Sequence, residues 1–234
     1  MPLTTGRVLG VDARRGGWAC ALVEIAGGSA ARTPVRWLAL PTLVEVLALP
    51  ADAVGVDIPI GLPQRGRRAC DLAAKALLGA AHARVFLTPP RAVLDAADHA
   101  SASALHRNLV DGKGLSLQTW DVLGKVAEAD AALADSDAAV HGRVVEVHPE
   151  LSFAALAGHP LGPKRTPSGR AARIAALGTW LPRLPTGDVP PGDDHLDALA
   201  AAWSAARWRA GMATVLPDGV VLRDVLGVPQ RIVV

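Results

Sequence analysis

The first sixty positions carry short apolar blocks, and most of the remainder has helical spacing with brief returns to strand-like runs. Val8 to Val11 is an apolar run that ends in Asp12. An Arg/Gly-rich turn follows, then a second β-like run from Trp18 to Ile25, which together predict a hairpin. "GGSAARTP" (27–34) reads as a turn and "VRWLAL" (35–40) as a third short strand. "PTLVEVLALP" (41–50) opens on proline and has helical spacing, which predicts a short helix. "AVGVDIPIGLP" (53–63) predicts a buried strand ending in Asp57, with a Pro/Gly-rich exit. Helices are predicted over "RRACDLAAKALLGAA" (67–81) and "DVLGKVAEADAALADS" (121–136), and residues 85–120 between them read as irregular. "GRVVEVHPELSF" (142–153) reads as a strand broken by Pro149, and "GHPLGPKRTPSG" (158–169) as a loop. A helix over 170–178, a proline-rich linker and the helix opened by "GDDHLDALAAAW" (192–203) come next. "GVVLRDV" and "QRIVV" in the tail are strand-like.

Alternating strands and helices favour a layered α/β fold. The expected core is a central mixed sheet, a three-strand antiparallel meander plus parallel strands, flanked by helices. This succession is the order of the ribonuclease H-like fold. At 234 residues the chain is read as a single domain, 1–234, with a helical and loop insertion at about 85–140. Six tryptophans, two phenylalanines and no tyrosine accompany much alanine, so small side chains are expected to pack helix on sheet. Few aromatic platforms remain for stacking bases. A net charge of +2 does not by itself imply nucleic-acid binding, although "RGRR" (65–68) and "PKRTPSGRAAR" (163–173) concentrate basic residues. Cys20 and Cys70 form neither a zinc motif nor a disulfide framework. No signal peptide or membrane-spanning run is read, so a soluble cytoplasmic protein is expected.

Acids punctuate this pattern. Asp12 ends the first predicted strand, Asp57 ends the fourth, Glu146 lies in the fifth, and Asp194 and Asp197 start the last long helix. In a doubly covered sheet, ligands gather beyond the carboxyl ends of the strands. Residues three apart on a helix share a face, so Asp194 and Asp197 could meet the strand acids there. Carboxylates so gathered repel one another unless a cation is present, and oxygen donors suit Mg2+ or Mn2+. Such ions can activate a water and steady a leaving oxygen in phosphodiester cleavage. Local readings stand beside this one: Asp12 as a turn residue, the 194/197 pair as helix-capping acids, Glu146 as an edge-strand acid facing solvent.

Lys164 and Arg170 in the basic loop, and Arg91 in "FLTPPR", are candidate phosphate contacts. His148 is a candidate proton shuttle, with a merely packed histidine as the alternative. Ser116 lacks a histidine–acid pattern for nucleophilic catalysis, and "GVDARRGGW" is not a phosphate-binding P-loop.

The stretches "GVDARRGGW", "VDIPIGLP", "RRACDLAAKALLG", "VFLTPPR", "GKGLSLQTW", "EVHPELSF", "GPKRTPSGR" and "DDHLDALAAAW", in that order, resemble the domain of unknown function 429 (DUF429) family. That family is described as predicted nucleases of ribonuclease H-like fold. The resemblance implies an acid cluster of Asp12, Asp57 or Glu146, and Asp194 with Asp197, with Asp57 favoured for the metal and Glu146 as a further ligand or orienting group. The D-x-x-D-A ending also resembles the last helix of Holliday-junction resolvases. The expected function is divalent-metal-dependent phosphodiester hydrolysis on nucleic acid or a smaller nucleotide. A nucleotide-dependent phosphotransferase of the related superfamily and a non-catalytic metal- or nucleic-acid-binding module remain open alternatives.

Overall fold

The computed structural model describes residues 5–26, 29–30, 34–134, 136–181, 184 and 189–234. Its elements in chain order are β1 (Thr5–Arg14), β2 (Gly17–Ala26), β3 (Ser29–Ala30), β4 (Arg36–Leu40), α1 (Leu43–Leu47), β5 (Ala53–Asp57), α2 (Ala69–Leu78), α3 (His99–Leu109), α4 (Leu117–Ala134), α5 (Ala138–Arg143), β6 (Val144–Val147), α6 (Pro149–Ala157), α7 (Pro167–Gly178), α8 (Asp194–Arg209), β7 (Val215–Leu216) and β8 (Ile232–Val233). Two compact units result. The first takes the segments up to Asp57, Gly142–Thr214 and Val233–Val234, and the second takes Ile58–His141 and Val215–Ile232. The insertion expected at about 85–140 falls inside the second. The predicted turn over 27–34 and the proline-rich linker lie largely outside the described residues.

In the first unit β1 and β2 pair antiparallel from Thr5 opposite Ala26 to Arg14 opposite Gly17. β4 adds antiparallel to β2, which completes the expected meander. β5 lies parallel on β1, with Asp12 opposite Asp57, and β6 lies parallel on β5, with Val56 opposite Glu146. The order β3–β2–β1–β5–β6–β8, with helices packed on the sheet, is a mixed α/β arrangement of the kind the sequence predicts.

The central helix α8 is buried from Leu196 to Ala206. Its alanine-rich sequence is apolar on every side, the mark of a helix enclosed by other elements. Against the sheet the contact is almost backbone on backbone. A Cβ on Gly10 would stand 1.8 Å from the Ala198 carbonyl oxygen, and one on Gly55 2.4 Å from that of Ala201. Phe153 of α6 and Leu177 of α7 share a core with Leu196, Leu199, Val8 and Val23. A buried hydroxyl pair, Ser152 with Ser204 at 2.8 Å, ties α6 to α8.

The second unit is organised by a fully buried cation. Arg68 is ion-paired with Asp71 and donates to the Ile60 carbonyl at 2.8 Å, and Asp71 accepts from the Thr88 N–H at 2.9 Å.

Three expectations are corrected. Residues 85–120 are not irregular throughout: Arg91–Asp95 forms a 3-10 helix, and α3 follows from a capping box between Asp98 and Ser101. That helix buries Ala102, Ser103 and His106, so its apolar signal in the sequence is weak. Pro149 does not interrupt a strand; it opens α6 in its first turn, where a missing N–H costs no hydrogen bond. "GVVLRDV" makes one isolated bridge, Arg223 to Pro229, rather than a strand. Its backbone neighbours bond instead to the Asp224 carboxylate, which accepts from the N–H groups of Leu62, Leu226 and Val228.

The close approach has a direct test. Gly10→Ala drives a methyl into the α8 backbone and is expected to lower stability by about 3 kcal/mol or more, at the upper end of overpacking costs. Gly124→Ala, on α4 with open space around it, is expected to raise it by roughly 0.5–1 kcal/mol. Urea midpoints measure both, and a Gly10→Ala midpoint equal to wild type would contradict the packing described.

Candidate metal centre

Strand alternation places the first two acids. Gly10 and Gly55 face α8, so Asp12 and Asp57, two residues on, face it as well. The helix runs antiparallel to β1. Arg209 at its end lies beside Gly6, and Ala198 near its start lies over Gly10. Its first turn therefore stands above the carboxyl ends of β1 and β5 and delivers Asp197 there. One carboxylate oxygen from each of Asp12, Asp57 and Asp197 lies within 4.8 Å of the others.

Asp194 and Asp197 do lie in the first turn of α8, but a local role does not account for Asp12 or for the burial of Asp197. Asp12 is inside β1, paired to Ala19 on one side and Asp57 on the other, so it is not a turn residue. The α8 cap is Asp193, and its side chain accepts no capping hydrogen bond. Asp197 is buried at 3% exposure, where a capping acid would face water.

The pocket is electrostatically loaded. Burial, then repulsion from Asp57 and Asp197, raises the Asp12 carboxyl well above its ordinary 3.8. Burial and Asp197 do the same to Asp57, with Glu146 and Glu150 adding to the rise. Burial raises Asp197 too, against the opposing pull of Lys164. The Lys164 Nζ lies 2.6 Å from Asp197 Oδ2. Burial disfavours its charge, but Asp197, with help from Asp12 and Asp57, carries it up to about 12.

Other expected residues are placed differently. Asp194, one turn nearer the helix end and half-buried, is the smallest named influence on Asp12 and is not in the close trio. Glu146 is buried on β6 and felt at Asp57, but alternation turns it away from the face of Val145 and Val147, which pack on Ala201. His148 links β6 to α6, where its carbonyl accepts from Leu151 N–H at 2.9 Å. Arg170 donates to the carbonyls of Gly192 (2.8 Å) and Pro190 (3.2 Å), which fixes the segment leading into α8. Arg91 is engaged within the second unit by Asp130 and Asp224.

Two residues escaped the sequence reading as site elements. Glu150 acts on both Asp57 and Asp197. It is held by Arg173, whose fully buried guanidinium also binds the carbonyls of Gly162 and Gly169 at 3.0 Å each and lies over Phe153. The available signal was Pro149: read as a helix opener, it puts Glu150 in a helical first turn instead of on a strand.

The chain belongs to the family described as "Protein of unknown function (DUF429)", whose model matches residues 10–221. Among solved structures it is similar to "T. thermophilus RuvC in complex with Holliday junction substrate", with TM-score 0.40, 16% identity, and coverage of 88% of this chain and 97% of that one. "Thermus thermophilus RuvC structure" matches at TM-score 0.39 with the same identity and coverage. No curated protein matches the sequence significantly. No described helix is long and apolar enough to cross a membrane.

The raised carboxyls set a pH dependence. Above pH 3.8 the unfolded chain has released protons that folded Asp12 and Asp57 still hold. Stability contributed by these groups therefore falls as pH rises toward the folded values. Lys164 contributes nothing to this slope, because its bonus is complete below 10.5. His195, lowered chiefly by burial, adds the opposite slope near 6.5. The diagnostic is thus the difference between wild type and Asp12→Asn in EDTA: the wild-type urea midpoint should decline relative to the variant as the pH rises above 3.8. Parallel profiles would contradict the assignment.

Proposed function

We propose that this protein is a divalent-metal-dependent phosphodiester hydrolase acting on nucleic acid or a smaller nucleotide. The observation that carries the reading is the meeting of Asp12, Asp57 and Asp197, distant in sequence, in one pocket whose charge the protein leaves incompletely compensated.

The donor set fits such an ion. All three groups offer oxygen, which suits magnesium or manganese. Oxygens at about 2.1 Å from magnesium stand about 3 Å apart when adjacent and about 4 Å when opposite. A spread within 4.8 Å closes to that with small side-chain rotations. With all three ionised around a bound ion, the carboxylates against the Lys164 ammonium leave two negative charges, which a divalent cation neutralises.

Asp12 and Asp57 would hold the metal from adjacent strands and Asp197 from α8. When bound, the metal would supply an activated water and charge stabilisation at the leaving oxygen. Lys164 would meet a substrate phosphate oxygen, and Arg170 would hold the cleft beside it. Asp194 and Glu146 would shape the field around the ligands from one step farther out. Arg91 has no part in this proposal, because two carboxylates already engage it.

Asp12→Asn and Asp197→Asn are expected to weaken manganese binding by more than the roughly 10–100-fold that loss of a supporting group costs. Calorimetric titration measures this, and magnesium-dependent cleavage of a labelled oligonucleotide should vanish in parallel while circular dichroism is unchanged. Wild-type turnover in folded Asp12→Asn protein would remove the mechanism.

A further inference from the structure

Lys164 belongs to two places at once. Its ammonium pairs with Asp197, and the residue also lines a cleft of about 560 Å3 with Arg165, Thr166, Arg170, Gly192 and one acid, Asp193. The two partners differ in access: the Lys164 side chain is 40% exposed and that of Asp197 is 4%. The Lys164 side chain is therefore reachable from outside, while the Asp197 carboxylate it holds is not. The loop backbone is pinned on either side by Arg173, through the Gly162 and Gly169 carbonyls. Thr166 Oγ1 pins it again by accepting from Gly169 N–H at 3.0 Å. What is left to move is the Lys164 side chain itself.

We propose that Lys164 is a gate that couples phosphate binding in the cleft to metal binding at the acids. With the cleft empty, its ammonium sits on Asp197 and competes with a divalent cation for that oxygen. A phosphate-bearing ligand among Lys164, Arg165 and Arg170 draws the ammonium outward and frees Asp197 for the metal. The coupling is reciprocal, so metal tightens phosphate binding by the same factor. Metal loading then coincides with substrate arrival, and a substrate-free protein keeps Asp197 paired with its own lysine. This inference rests on the metal-dependent reading above.

The test titrates manganese chloride into the whole chain by calorimetry, with and without sulfate as the phosphate probe, at constant ionic strength. Sulfate should tighten manganese binding to wild type by about fivefold or more, within the usual range of coupling between sites. Lys164→Met should bind manganese tighter than wild type by a similar factor without sulfate, and sulfate should then add nothing. Arg165→Ala leaves the Lys164–Asp197 pair in place, so its affinity for manganese alone should match wild type while the sulfate effect shrinks. This second variant keeps the proposal testable if Lys164→Met does not fold. Equal manganese affinity in wild type and Lys164→Met, or indifference of wild type to sulfate, overturns the gate alone. Absence of manganese binding in both proteins overturns the gate together with the metal reading.

Discussion

At the two points where α8 crosses Gly10 of β1 and Gly55 of β5, no strand side chain stands between helix and sheet. Gly10 and Gly55 are the strand positions that allow it, and Ala198, Ala201 and Ala202 complete the contact from the helix. With bulkier residues the helix would ride several ångströms higher, as helices and sheets normally do. The first turn of α8 would then lift Asp197 away from Asp12 and Asp57. The alanine-rich, aromatic-poor composition is thus tied to the acid site.

That proximity carries a stability cost. Three buried carboxylates in mutual repulsion oppose folding, and Lys164 answers only part of their charge. Local destabilisation at a site, offset elsewhere, is a common consequence of selection for function. Here the offset is the tightly packed core around Leu196, Leu199, Phe153 and Leu177. Arg173 supports the same arrangement by holding Glu150 and the basic loop from within.

Much of this was legible in the sequence. An acid at the end of an apolar run is conspicuous, and Asp12 and Asp57 stood out for that reason. The same spacing argument brought Asp194 and Asp197 to one helix face, but it could not say which of them the sheet would meet. The helix's slide along β1 decides that, and no local pattern encodes the slide. Lys164 was read as a phosphate contact; its ion pair with Asp197, a partner 33 positions away, had no local signal. α3 escaped notice because its buried face is alanine, serine and histidine. Glu150 escaped because a proline after β-like residues reads as a break when it is in fact a beginning.

Asp12 is bracketed on both sides, by Ala19 of β2 and Asp57 of β5. Side chains alternate along a strand, so sliding β1 by a single residue would turn this carboxylate to the reverse face of the sheet. The tight Arg15–Gly16 connection between β1 and β2 is therefore a ruler as well as a turn. Length variation there would be felt first as chemistry, before it was felt as loss of structure, and homologous chains that keep the acid should also keep the length of that link.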